Sequence, residues 1–209
     1  MESYGEILKI ARIGVPSAEI YRARAYGIGS ISWSSDGALV FTDMPYEMGV
    51  GTTLIYHPEA GGIVQRLTGA ARERDWNPQR DAMLLLTYLG IPVACDAAIS
   101  GYDFVSDRPL PDIKPLLADI DGLLPVGSPV WVDGGRAAVL AVRPTSWDAE
   151  REDYLLGPAI ALAFRLGRDG PGLEVLGSAP ETDYLIMPDD SGGYRISSQP
   201  YQPGYCGEG

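Results

Sequence analysis

The chain has 209 residues, 45% hydrophobic and 21% charged, and carries a net charge of −12 at neutral pH. That size and apolar content support a folded core and argue against wholesale disorder. The acidity repels phosphate backbones and anionic lipid, so nucleic-acid binding and loose membrane adhesion are disfavoured, and a basic protein or peptide is the macromolecular partner the charge suits.

No run of 18 apolar residues occurs, so no membrane span is expected. The first residues lack the basic-then-apolar layout of a secretory signal. As it stands the chain reads as cytoplasmic, with a secreted or periplasmic location left open. Cys95 and Cys206 make neither a zinc site nor a disulfide framework, and two unpaired thiols are expected. Glycine (26) and proline (17) are scattered, the pattern of many short elements joined by turns.

In chain order, residues 6–13 and 19–25 read as two strands around Gly14 to Ser17. Ile31-Ser32-Trp33-Ser34-Ser35-Asp36-Gly37 then leads into Ala38-Leu39-Val40-Phe41. Asp-Gly supplies the positive φ of a tight hairpin, and the flanking runs have strand composition. This unit predicts strands at 28–34, 38–43, 52–57 and 63–68, with a loop over 44–51 and a turn at Glu59 to Gly62.

The phrase returns at Asp75-Trp76-Asn77-Pro78-Gln79-Arg80-Asp81 before Met83-Leu84-Leu85-Leu86, and at Val130-Trp131-Val132-Asp133-Gly134-Gly135 before Ala137-Ala138-Val139-Leu140. A weaker copy starts at Tyr184 and predicts strands at 183–188 and 194–199. The anchors Trp33, Trp76, Trp131 and Tyr184 lie roughly 40 to 55 residues apart, the spacing of propeller blades. Runs that are apolar at nearly every position suggest strands covered on both faces. Residues 108–127 do not read as a strand, and Pro115 to Leu124 could form one or two helical turns.

The first unit, with Ser32 to Gly37, then Ile55-Tyr56, Gly61-Gly62 and Arg66-Leu67-Thr68, resembles a blade of the TolB-like, WD-repeat-like propeller family. The resemblance is good over 28–69, partial over 74–107 and 128–177, and faint over 183–200. It implies an all-β fold: a single β-propeller domain over 1–209, of four blades with four antiparallel strands each. The last blade, 183–200, is completed by residues 6–26 in a clasp that removes open sheet edges. The alternative is an arc of a larger propeller. The motif identifies a blade, not an activity.

Longer, irregular segments are where binding usually resides. Two such loops stand out: 44–51, with Met44, Tyr46 and Met48, and 145–157, with Trp147 and Tyr154 among five charged residues. Aromatic anchors ringed by charge suit an interface.

Catalysis finds little support. His57 is the only histidine, placed at a turn beside Pro58, so it would have to serve any Ser-His-Asp or Cys-His system. Asp189-Asp190-Ser191-Gly192 lacks the spacing of a calcium loop. No phosphate loop or dinucleotide fingerprint occurs, and no metal or cofactor is expected. Asp75 and Asp183 are the candidate carboxylates for a glycosidase-like propeller.

The leading expectation is a non-enzymatic protein- or ligand-binding module that uses its long-loop face. The alternatives are the accessory propeller of a prolyl-oligopeptidase-like hydrolase, without a Gly-x-Ser-x-Gly elbow in this chain, and a small carboxylate-dependent glycosidase.

Overall fold

A computed structural model describes residues 6–11, 16–23, 27–44, 50–89, 95–113, 115, 120–189, 191 and 193–206. Among them the chain is all-β, built of antiparallel ladders with no α-helix. It divides into two compact units, residues 1–75 and 76–209.

In the first unit, β1 (Ile7–Ile10) and β2 (Ala18–Arg22) form a two-stranded ladder. A four-stranded meander follows: β3 (Gly27–Trp33), β4 (Leu39–Met44), β5 (Thr52–His57) and β6 (Gly62–Thr68). All six strands stand where the sequence predicts them, to within a few residues. Gly37 at φ +87° and Gly61 at φ +67° take the left-handed backbone that their turns require. Leu39, Phe41 and Leu54 form the core, and Leu8, Ile10, Ile20 and Tyr21 of the first hairpin pack against it. Burying side chains as large as Phe41 and Leu54 contributes about 1.5–3 kcal/mol each.

The Trp33 hairpin is closed by a polar lock. The Ser34 backbone N–H donates to Ala38 O at 3.0 Å, and Ser34 Oγ accepts the Ala38 N–H at 2.9 Å. The second phrase carries Asn77 in place of that serine, and the lock is kept. Asn77 N–H donates to Ala82 O, while its Oδ1 accepts the N–H groups of Asp81 and Ala82, each at 3.0 Å.

In the second unit, a bridge from Trp76 to Met83 stands where the first strand of the second phrase was expected. Then come β7 (Ala82–Tyr88), β8 (Ala97–Asp103) and the short β9 (Arg108–Pro109), in that order across one sheet. The next sheet holds β10 (Gly122–Val132), β11 (Ala137–Asp148), β12 (Asp153–Leu156), β13 (Ile160–Gly167) and β14 (Gly170–Gly177). β11 pairs with β10 along one side, and with β13 and then β12 along the other. The chain ends in the two-stranded ladder of β15 (Thr182–Pro188) and β16 (Tyr194–Pro200), then β17 (Gly204–Tyr205), which pairs with β12.

These sheets are stacked. One face of the central sheet, with Leu123, Leu140, Val142, Leu162 and Phe164, packs on Ala82 and Leu84 of β7 and on Leu110 and Ile113. The opposite face, with Val132, Ala137, Val139 and Ala163, receives Ile186 and Tyr194 from the β15–β16 ladder. Covering on both faces explains why β11 and β13 are apolar at nearly every position.

Three expectations are corrected. Gly122 to Leu124, assigned to a helical turn, begin the eleven-residue strand β10; Pro115 is described on its own, and residues 114 and 116–119 lie outside the described residues. The density of proline and glycine in 122–132 is compatible with a strand because β10 pairs only with β11. An edge strand loses no ladder bond at a proline whose missing N–H faces outward.

The charged loop over 145–157 is a β-hairpin instead. Asp148 Oδ1 accepts the N–H groups of Glu150 and Arg151, and this side-chain turn carries β11 directly into β12.

The two cysteines are not free thiols. Cys95 and Cys206 form a disulfide across a sequence separation of 111 residues. Counting cysteines could not reveal that β8 and β17 bring their ends together.

Candidate functional site

Side chains alternate across a strand, so one face of β11 carries Ala137, Val139, Ala141, Arg143, Thr145 and Trp147. Ala137 and Val139 pack against the β15–β16 ladder. Arg143, Thr145 and Trp147 follow on the same face.

Trp147 pairs across the ladder with Tyr154, and Thr145 with Leu156. The rings of Trp147 and Tyr154 meet edge to face, with centroids 5.1 Å apart and planes at 70°. Trp147 remains 50% exposed. Edge-to-face contact adds about 0.5–1.5 kcal/mol beyond area burial and orients the pair. The Trp147 backbone N–H donates to Asp121 Oδ2 at 2.6 Å.

β17 borders this hairpin. Tyr205 Oη donates to Asp148 Oδ2 at 2.8 Å, and the Arg151 guanidinium sits 4.5 Å from the Tyr205 ring centroid. The Tyr205 hydroxyl, with the Glu150 N–H, holds the Asp148 carboxyl below its ordinary range. The disulfide at Cys206 anchors the far end of β17. The aromatic pair is therefore presented on a hairpin held along its second strand.

A pocket of about 450 Å³ opens beyond the apolar row, lined by Arg143, Asp183, Gln199, Pro200 and Gln202. Its floor is an ion pair. Arg143 Nη2 lies 2.8 Å from Asp183 Oδ2, with side-chain exposures of 18% and 3%. Asp183 Oδ1 accepts the Ala159 N–H at 2.8 Å, and Arg143 Nη1 donates to Gly157 O at 3.0 Å. Tyr201 roofs the neighbouring strand end, its hydroxyl donating to Leu156 O. Burial pushes that phenol above its ordinary value; Arg143 opposes the shift and Asp183 adds to it. The hydroxyl thus stays a neutral donor well into the alkaline range.

His57, Asp75 and Asp183, the residues that the sequence offered for catalysis, each make contacts within their own unit. Asp36 lies between Ser34 and His57: Ser34 Oγ donates to Asp36 Oδ1, and Asp36 Oδ2 lies 3.3 Å from His57 Nε2. A catalytic triad needs the imidazole between the hydroxyl and the carboxylate. This order instead ties the β3–β4 turn to the end of β5, and His57 is half-buried against it. Asp75, in the first unit, accepts the Arg72 N–H at 2.7 Å. Burial raises its carboxyl above the ordinary value, with the Arg72 N–H, Arg74 and Arg72 pulling it back. Asp183, in the second unit, has both oxygens engaged by Ala159 and Arg143.

Of the predicted binding residues, Trp147 and Tyr154 come together. Met44 ends β4 in the other unit, its sulfur close over Gly51. Tyr46 and Met48 lie outside the described residues. Arg143, Gln199 and Gln202, which line the pocket, were not among the residues expected to bind. The readable signal was Arg143, a lone cation ending the apolar run Ala137 to Val142.

Among the described residues no cluster of three or more metal-ligating side chains occurs, and no helix is long and apolar enough to cross a membrane. Compared with known proteins, the chain matches no family model and no curated sequence.

Proposed function

We propose that this chain is a non-enzymatic interaction module that binds a basic protein or peptide on the β11–β12 hairpin. The observation that carries the reading is the half-exposed Trp147, oriented by Tyr154 on a hairpin flanked by β17. Rigid, exposed aromatics supply interface area at low entropic cost. The tip Asp148-Ala149-Glu150-Arg151-Glu152-Asp153 is net acidic and borders the rings, which suits lysine- or arginine-rich partners through ionic and cation–π contacts.

Architecture supports the reading. The four-stranded meander of the first unit and the face-to-face packing of sheets within the second support reading the chain as a TolB-like propeller of four blades. In that reading residues 6–26 complete the blade begun by 183–200. Deleting residues 1–11 and measuring amide exchange distinguishes the rivals. Loss of protection over 194–200 supports the clasp, and unchanged protection supports an open arc. The Cys95–Cys206 disulfide favours an oxidising compartment over the cytoplasm.

The test is an array of immobilised dodecamer peptides probed with the purified chain and with Trp147→Ala. The native chain should retain basic sequences, and the variant should lose them at least tenfold while keeping its fold. Equal retention by both proteins overturns the reading. The enzymatic alternatives predict turnover of chromogenic glycosides or peptides, and loss of that turnover in Asp183→Asn or His57→Ala.

A further inference from the structure

We propose that the Arg143–Asp183 pocket is a separate site for a neutral, hydroxyl-rich small molecule of sugar size. Its volume, about 450 Å³, lies within the range of small-molecule sites. Among the described residues that line it, Arg143, Asp183, Gln199 and Gln202 carry planar polar groups, and Pro200 is apolar. That lining does not suit an apolar ligand.

Charge narrows the class further. The guanidinium and carboxylate on the floor lie 2.8 Å apart and largely cancel. A ligand anion would compete with Asp183 for Arg143 in a chain of net charge −12, and a ligand cation would compete with Arg143 for Asp183. A neutral ligand meets neither competitor.

Hydroxyl groups match what is offered. The exposed amides of Gln199 and Gln202 each provide two N–H donors and a carbonyl acceptor, and a sugar hydroxyl both donates and accepts. The floor is already fixed by main-chain contacts, Arg143 to Gly157 O and Asp183 to the Ala159 N–H. Those groups need little reordering on binding, which lowers its entropic cost. Trp147 lies four residues along the same face of β11, about 13 Å away at strand rise. The pocket therefore does not depend on the hairpin's own partner.

The experiment is saturation-transfer NMR and calorimetry on the full chain with glucose, galactose, mannose, N-acetylglucosamine and their disaccharides, with glucuronate and glucosamine as charged controls. At least one neutral sugar should bind saturably, and better than either control. Gln199→Ala and Gln202→Ala should each weaken it about tenfold, and Gln65→Ala, on β6 of the first unit, should leave it unchanged. Both glutamines are exposed, so the variants should keep the native melting temperature, measured in parallel. No saturable binding of any neutral sugar at millimolar concentration overturns the proposal. So does binding that survives the double glutamine variant, or that prefers a charged control.

Discussion

Two hairpins of this chain use the same kinds of residue to opposite ends. At the β3–β4 turn, Ser34, Asp36 and His57 are turned on one another and on Ala38. Their chemistry is consumed in holding the turn. At the β11–β12 turn, Asp148 is likewise consumed, by Glu150, Arg151 and Tyr205. Yet Trp147 is left half in solvent and Tyr154 is ordered beside it. A constellation with catalytic residue types is structural where its polar groups satisfy each other. A surface becomes a candidate for binding where structure spends its polar groups on presenting an apolar one.

The comparison implies different dependencies. The β11–β12 hairpin relies on a strand held by a distant disulfide, and the β3–β4 turn does not. Cys206→Ser should therefore lower the stability of the second unit by about 2–5 kcal/mol in urea unfolding. Amides of residues 153–156 should lose exchange protection, and those of 34–38 should keep it. An unchanged midpoint would show that β17 needs no anchor.

Ser34→Ala probes the closed turn. It strips the hydroxyl that accepts the Ala38 N–H and should cost about 1–2 kcal/mol, measured by thermal or denaturant unfolding. It should leave the Trp147 fluorescence environment unaltered.

Thr145→Val probes the floor beneath the open hairpin. Thr145 is 1% exposed, and its Oγ1 has no hydrogen-bond partner among the described residues. Replacing an unsatisfied buried hydroxyl with a methyl of similar shape should stabilise by up to about 1 kcal/mol. A loss of stability would reveal a partner for that hydroxyl.

The smallest effect is on pH. Because Asp148 is held below the ordinary carboxylate value, its contribution is fully present above that value and is lost as pH falls through the lowered one. Tyr205→Phe removes the largest of the contacts that lower it, while the Glu150 and Arg151 N–H groups remain, so the acid-side dependence should shrink, read from chemical shifts of the Asp148 carboxyl.

Much of the scaffold was legible because hairpins write themselves locally. Asp36-Gly37 and Gly61-Gly62 marked turns, and apolar runs marked the strands covered on both faces. The lock at Asn77 shows where likeness of letters understates likeness of structure, since an amide oxygen replaces a hydroxyl at the same task. What stayed hidden was non-local. The first half of β10 resembled a linker because an edge strand tolerates Pro125. The 145–157 segment looked like a loop because its acids mask an Asx turn. The disulfide and the Arg143–Asp183 pair join residues far apart in sequence, and no periodicity announces either. Trp147 and Tyr154 could be singled out as aromatic anchors, but their direct cross-strand register became visible only with β11 and β12 in place.

The most direct test of the central claim is hydrogen–deuterium exchange of the full chain with and without a saturating basic peptide selected on the array. The account predicts new protection over 145–156 and 204–206, lost in Trp147→Ala. Protection confined to 34–38 and 57–62, or no change anywhere at saturation, would contradict it.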